Sequence, residues 1–235
     1  MKLLNPTPAP AAITLRVLSH LLSYPDAELR AHLGELRDAL HAERALTPER
    51  LAEIDALIER LRAGDPFETE AAYVEMFDRG RGTALHLFEH VHGDSRDRGP
   101  AMVDLIKTYE QAGLFFAPGE LPDHLTVVLE YASTQPPAQA REFLREIAHV
   151  LQSIFSALLR RESPYASLLA ALLELAGGKA QAVTLPAEEA LDASWEEPVA
   201  FGGCSTAGQA RPGQPQPIQI VRGPQSAKPA TGVRA

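Results

Sequence analysis

The stretch HLFEHVHGD, residues 86–94, holds the side chains whose types and spacing most directly suggest chemistry. His86, Glu89 and His90 form the pattern His-x-x-Glu-His, the inverted zinc-hydrolase signature. In such a site the two histidines bind zinc and the glutamate polarises a water molecule. If residues 84–91 form one helix, the three polar side chains share a face opposite an apolar one.

Two interpretations of this cluster stay open at the level of sequence. A zinc hydrolase that uses His86 and His90 needs a third protein ligand, and nothing in the sequence selects one from candidates such as Glu142 and Glu146. The other interpretation is an amphipathic helix whose polar face contains two histidines. The nearby Gly80-x-Gly82 pattern is too short to indicate a phosphate-binding loop and is typical of a connection between helices.

Helix start and stop signals punctuate the chain up to Gly178. Asp26 and the pair Thr47-Pro48 are typical helix starts, and Gly177-Gly178 is a typical helix end. Before residue 180 no alternating apolar and polar run is long enough to predict a sheet strand. The sequence therefore predicts an all-α fold, a single compact domain of about eight or nine helices, the longest of them over 138–161.

The composition changes near the two ends of the chain. Residues 1–12 are predicted to be a flexible N-terminus, 13–178 the helical domain, and 179–235 a mostly disordered tail rich in Pro, Gly and Gln. Within the tail, SWEEPVAF (194–201) holds the single tryptophan and is a possible docking segment.

Charge and cysteine content exclude several classes of function. The formal net charge of −9 disfavours nucleic acid and anionic membrane surfaces as partners and favours a basic peptide. Because Cys204 is the single cysteine, neither an intrachain disulfide nor a cysteine zinc cluster can form. No apolar run has the length of a signal peptide or of a membrane span, which predicts a cytoplasmic protein without direct membrane insertion.

Three stretches resemble one known family. YVEMFDRGRGTALHLFEHVHGDSRDRGPAMVDLIKTYEQAGL (73–114), LPDHLTVVLEYAS (121–133) and SWEEPVAF resemble the delta-subunit type assembly chaperones of respiratory nitrate reductase. These chaperones belong to the redox-enzyme maturation proteins of molybdenum enzymes. The resemblance covers about residues 13–201.

The resemblance implies an all-helical chaperone that is not an enzyme and binds no cofactor permanently. Its expected partner is the catalytic (alpha) subunit of nitrate reductase, bound in the cytoplasm through its N-terminal peptide. The chaperone would keep the apo-subunit competent for molybdenum cofactor and iron–sulfur insertion before membrane docking. A maturation chaperone of another molybdenum enzyme is the alternative. On this view the histidine stretch is structural or faces the partner.

Such a chaperone needs a groove for an amphipathic helix, with acidic groups that favour a basic or free-amine N-terminus. The residues expected to bind the peptide are Tyr73, Phe77, Phe88 and Tyr109, the acidic Glu89, Asp104, Asp123 and Glu130, and the histidines His86, His90 and His124. Some of these have a structural alternative. Tyr73 and Phe77 have the i, i+4 spacing that is typical of core residues. Asp123 is placed to cap the helix that follows it in the sequence.

Overall fold

The structure, a computed structural model, describes residues 10–93, 95–115 and 121–184. Within these ranges it consists of ten α-helices and one 3₁₀ turn (Arg81–Thr83), without a sheet strand, so the all-α prediction is confirmed there. The predicted docking segment 194–201 lies outside the described residues. The helices are α1 (Ala12–Leu21), α2 (Ala27–Glu43), α3 (Pro48–Ala63), α4 (Pro66–Phe77), α5 (Leu87–Val91), α6 (Arg98–Gln111), α7 (Leu125–Thr134), α8 (Pro137–Glu146), α9 (Ala148–Arg160) and α10 (Ala166–Leu175).

The helices with strong local start signals begin where the sequence predicts. The Asp26 carboxylate accepts a hydrogen bond from the Leu29 amide at 2.8 Å, and the Thr47 hydroxyl accepts one from the Arg50 amide at 3.3 Å. Each cap satisfies an amide that has no partner inside its own helix. Gly177 follows the last helix, α10, and its backbone is in the left-handed conformation, with φ of 84°. This is the helix end that the sequence predicts.

The prediction of one long helix over 138–161 is wrong, because the segment forms two helices. α8 ends at Glu146 and α9 begins at Ala148, with Ile147 between them at φ −91° and ψ 1°. The apolar spacing continues across this break, and neither Gly nor Pro marks it. A pattern of apolar residues therefore could not show it.

The core is formed mainly by α1, α7, α9 and α10. α1 packs against α7 and α2, and α10 packs against α9 and α3. Eight consecutive residues of α10, Ala166 to Leu173, are buried, which is the burial expected of a helix that is apolar on every side. α10 is therefore the central helix of the described domain.

The N-terminus of α1 is capped by a residue from another helix. α1 has no side-chain cap of its own. Instead the Glu43 carboxylate, at the end of α2, accepts hydrogen bonds from the amides of Ile13 at 3.1 Å and Thr14 at 2.5 Å. This contact stabilises the free amides of α1 and fixes its position relative to α2.

Close packing explains the glycine at position 80, between α4 and the 3₁₀ turn. A Cβ atom at Gly80 would lie 2.6 Å from Arg161 Nη1 and 2.8 Å from the Met76 carbonyl oxygen, and it would also collide with the Thr83 hydroxyl. Arg161 occupies this space because its guanidinium donates to the Met76 carbonyl at 3.1 Å. The turn that leads to residues 84–91 is thus held against α9.

We expect the substitution Gly80→Ala to lower the free energy of unfolding by about 1–3 kcal/mol, because the added methyl group displaces packed atoms. The matched control is Gly34→Ala in α2, where an added Cβ meets no atom within 4 Å. That change should raise stability by up to about 1 kcal/mol. Urea unfolding followed by circular dichroism measures both values. Equal effects of the two substitutions would contradict the packing argument.

Candidate functional site

The histidine stretch does not form the helix that the zinc signature requires. α5 begins only at Leu87, and His86 precedes it with extended backbone at φ −83° and ψ 104°. His86 and His90 therefore do not share a helical face, and the prediction of one helix over 84–91 is wrong. The reason is that residues 85–87 pair with another segment of the chain.

The two histidines of the signature have separate hydrogen-bond partners. His90 Nε2 lies 2.8 Å from the Ala84 carbonyl oxygen, and this nitrogen must carry the proton to donate to it. His86 Nδ1 lies 3.3 Å from Asp123 Oδ1. Among the residues that the structure describes, no group of three His, Cys, Asp or Glu side chains is arranged to hold a metal ion.

The segment around His86 pairs with the Pro122-Asp123-His124 turn. The Leu87 amide donates to the Asp123 carbonyl at 3.0 Å, and the Leu125 amide donates to the Leu85 carbonyl at 2.8 Å. His86 and His124 face each other in an isolated antiparallel bridge. Two of the stretches that carry the family resemblance are thus in direct contact.

Asp123 caps a helix other than its own. Its Oδ2 accepts a hydrogen bond from the Phe88 amide at 3.2 Å, in the first turn of α5. The helix that follows Asp123, α7, has no side-chain cap. The alternative that Asp123 caps α7 is therefore wrong. A helix as short as α5 depends on such external support because it has few internal hydrogen bonds.

The Asp123 carboxylate is fully buried and is paired with two basic side chains. Besides His86, Arg98 Nη2 lies 3.7 Å from Asp123 Oδ2 and the same distance from Glu89 Oε1. Burial raises the pKa of Asp123, but the hydrogen bond and charge of His86, the Phe88 amide and the Arg98 charge outweigh burial and lower it. The carboxylate is thus held in its charged form.

The two histidine rings at this site differ in their preferred charge. The hydrogen bond to Asp123 raises the pKa of His86, against the opposing effect of burial. Burial lowers the pKa of His124, and so does the charge of His86, whose ring centre is 4.9 Å away. The site therefore favours a cationic His86 beside a neutral His124.

Three aromatic side chains predicted to contact a partner lie in the interior. Tyr73 and Phe77 are 6% and 4% exposed and pack with Tyr165, which confirms their alternative as core residues. Tyr109 is 1% exposed, and its hydroxyl donates to the Pro122 carbonyl at 3.0 Å. A partner can contact the rings of Tyr73 and Phe77 only if the core opens.

The remaining predicted residues are accessible, except for the buried Asp123. Glu89, Asp104 and Glu130 are exposed, and His86, Phe88, His90 and His124 are half-buried. His86, Phe88 and Glu89 converge with Asp123 and His124, whereas Asp104 pairs with Lys107 on α6 at 3.1 Å. That these residues bind a partner stays a prediction.

A groove of about 630 Å³ lies between α1, the end of α6 and α7. Tyr109 and Glu130 line it, together with apolar residues that the sequence reasoning missed, namely Leu114, Phe115, Val127 and Tyr131. Phe115 is 80% exposed, an unusual position for a large aromatic side chain. A usable sequence signal was the i, i+4 spacing of Val127 and Tyr131 on α7.

Comparison with known proteins places the sequence of this chain in one family. Residues 22–171 match the family described as nitrate reductase delta subunit. The chain is 45% identical over 195 residues to the nitrate reductase molybdenum cofactor assembly chaperone NarJ of Escherichia coli (strain K12), covering 79% of this chain and 83% of that relative.

Two further relatives have related descriptions. The probable nitrate reductase molybdenum cofactor assembly chaperone NarW of E. coli (strain K12) is 40% identical over 193 residues, 78% of this chain and 80% of that relative. The probable chaperone of the same description, NarJ of Bacillus subtilis (strain 168), is 34% identical over 164 residues, 68% of this chain and 86% of that relative.

We expect the substitution Asp123→Asn to lower the pKa of His86, because the neutral amide removes the attraction that opposes burial. In the unchanged protein His86 should titrate above its ordinary value of 6.5 and His124 below it. NMR measurement of the histidine Cε1–Hε1 resonances across a range of pH gives the pKa values of both histidines. Asp104→Asn, on an exposed residue of α6, is the control. A His86 titration that is the same in Asp123→Asn and the unchanged protein would refute the pairing.

The His86–Asp123 pair also predicts a pH window of stability. Because the pKa of Asp123 is lowered and that of His86 is raised, the pair contributes fully between their ordinary values of 3.8 and 6.5. Its contribution is lost as pH falls through the folded-state pKa of Asp123 or rises through that of His86. Asp123→Ala should therefore lower the free energy of unfolding at pH 6 by about 3 kcal/mol, whereas Asp104→Ala should change it by less than about 0.5 kcal/mol. Equal losses for the two variants in urea unfolding would contradict the buried pair.

Proposed function

This chain belongs to the nitrate reductase delta subunit family, and from that premise we propose that it binds the N-terminal peptide of a respiratory nitrate reductase catalytic subunit. Binding keeps the apo-subunit competent for insertion of the molybdenum cofactor and the iron–sulfur centre before the subunit docks at the membrane. The relatives reported above are named as assembly chaperones, which supports a binding function without catalytic turnover.

The groove between α1, the end of α6 and α7 is the observation that carries this proposal. Leu114, Phe115, Val127 and Tyr131 provide apolar surface along it. An amphipathic helix recognises such a groove through side chains at i, i+3, i+4 and i+7. Burial of roughly 400 Å² of apolar surface contributes about 10 kcal/mol before the cost of ordering the peptide, so a few anchors are sufficient for stable binding.

The negative charge of the chain supports the binding of a peptide that has a basic residue or a free amine. Glu130 lies exposed at the groove, and the whole chain has a formal net charge of −9. Long-range attraction of this sign accelerates association with a basic peptide and disfavours acidic ones. Arg16 and His20 of α1 also line the groove. The acidic part of the groove is therefore confined to the α7 side. We therefore place the peptide's positive end near Glu130.

The site of action follows from the same proposal. No helix among the described residues combines the length and hydropathy needed to cross a bilayer. The chaperone would meet its partner in the cytoplasm, where the apo-subunit is made. A chaperone for another molybdenum enzyme would use the same groove with different anchor pockets, so the peptide that binds distinguishes the two.

We expect a peptide of about fifteen residues, four helical turns, from the N-terminus of the nitrate reductase catalytic subunit of the same organism to bind saturably. Isothermal titration calorimetry in the presence of a chelator measures the affinity. Val127→Asp should weaken binding at least tenfold, since a carboxylate in the apolar groove loses its hydration. Glu130→Lys should weaken it by about three- to tenfold through charge repulsion.

Leu159→Asp is the matched control, because Leu159 is an exposed apolar residue on α9, which does not line this groove. Circular dichroism verifies that each variant is folded. Absence of binding by the folded, unchanged protein would refute the proposed partner. Equal weakening by Val127→Asp and Leu159→Asp would refute the groove.

A further inference from the structure

α6 takes little of its position from the hydrophobic core. Of its fourteen residues, all described, Tyr109 is the one that is buried. Met102, Leu105 and Ile106 are half-buried, and Val103 is half-exposed. Burial of apolar surface is the main force that fixes a helix in a domain. α6 must therefore depend more than its neighbours on specific polar contacts.

Two side chains connect α6 to one short turn. The Tyr109 hydroxyl donates to the Pro122 carbonyl at 3.0 Å, and Arg98 Nη2 lies 3.7 Å from Asp123 Oδ2. At 1.5 Å per residue, Arg98 and Tyr109 are about 16 Å apart along the helix axis. The two ends of α6 thus reach back to adjacent residues, and this turn sets the orientation of α6.

The end of α6 is also a wall of the candidate groove. Tyr109 lines the groove, as do Leu114 and Phe115 just after the helix. The position of this wall therefore depends on the contacts that orient α6.

The contact of Arg98 with Asp123 is suited to opening. At 3.7 Å it is longer than a hydrogen bond, and the Arg98 side chain is 29% exposed, so water can replace it. When Arg98 leaves, the Asp123 carboxylate still has His86 and the Phe88 amide as partners. The exposed Glu89 lies 3.7 Å from Arg98 and can keep the freed cation nearby. Opening therefore leaves no buried charge without a partner.

We propose that α6 is a movable wall of the partner groove and that Arg98 is the positioning residue that holds it, through the buried Asp123. This inference rests on the proposed function for the identity of the peptide, but not for the mobility of α6. Tyr109 stays hydrogen-bonded to Pro122 and serves as the pivot. When Arg98 releases the start of α6, the helix tilts about Tyr109 and moves Leu114 and Phe115, which follow the helix and line the groove. The bound peptide is retained while Arg98 is in contact.

The first test uses the free, full-length protein and needs no partner. Hydrogen–deuterium exchange read by mass spectrometry compares Arg98→Gln with Lys107→Gln, which removes an exposed cation from the same helix. We expect amide exchange in α6 to become at least tenfold faster in Arg98→Gln, with α1 and α10 unchanged. Lys107→Gln should leave α6 unchanged, and Arg98→Lys should restore part of the protection because it keeps the charge.

Unchanged exchange of α6 in Arg98→Gln would overturn the positioning role. Faster exchange throughout α1 and α10 would also overturn it, because that result indicates general destabilisation.

The second test measures peptide kinetics by stopped-flow fluorescence with a labelled N-terminal peptide. Arg98→Gln should release the peptide about tenfold faster, with association changed by less than about threefold, while Lys107→Gln matches the unchanged protein. Equal release rates for Arg98→Gln and the unchanged protein would overturn the movable wall. If the unchanged protein binds no peptide, the proposed function fails, and the exchange experiment still decides whether Arg98 positions α6.

Discussion

A buried carboxylate must keep its partners, and the arrangement of this site follows from that constraint. Asp123 is fully buried, and an unpaired charge there would cost several kcal/mol. His86, Arg98 and the Phe88 amide each compensate part of that charge, and each comes from a different place: the residue before α5, the start of α6, and the first turn of α5. The requirement to pair one carboxylate therefore fixes α5 and orients α6 against the start of α7.

Capping between helices is a recurrent device in this fold. The Asp123 carboxylate satisfies the Phe88 amide of α5, and the Glu43 carboxylate satisfies two amides of α1. In both cases the capped helix lacks a side-chain cap of its own. A cap supplied by a distant residue stabilises the helix end and also fixes the position of one helix relative to another. The positions of the core helices need few further polar contacts, because these helices bury extensive apolar surface.

Extensively buried and sparsely buried helices lie next to each other at the candidate groove. α1 and α7 are packed by fully buried leucines, including Leu18 and Leu129, whereas α6 buries a single tyrosine. A well-packed floor with one loosely packed wall would suit the proposed binding and later release of a peptide. His86, Glu89 and His90 do not act together but make separate contacts. His86 pairs with Asp123, His90 bonds to the Ala84 carbonyl, and Glu89 lies 3.7 Å from Arg98.

The sequence by itself determined the helical class, the starts at Asp26 and Thr47, the end at Gly177, and the family, because these depend on local spacing and on residue identity. Only the tertiary structure decided that 138–161 is two helices, that Tyr73 and Phe77 belong to the core, and that His86 precedes α5. It also decided that Asp123 caps a helix more than thirty residues away in the chain. The physical reason is that a capping residue or an apolar spacing determines only the local structure of its own segment. Which distant partner satisfies a buried polar group is fixed only when the helices pack.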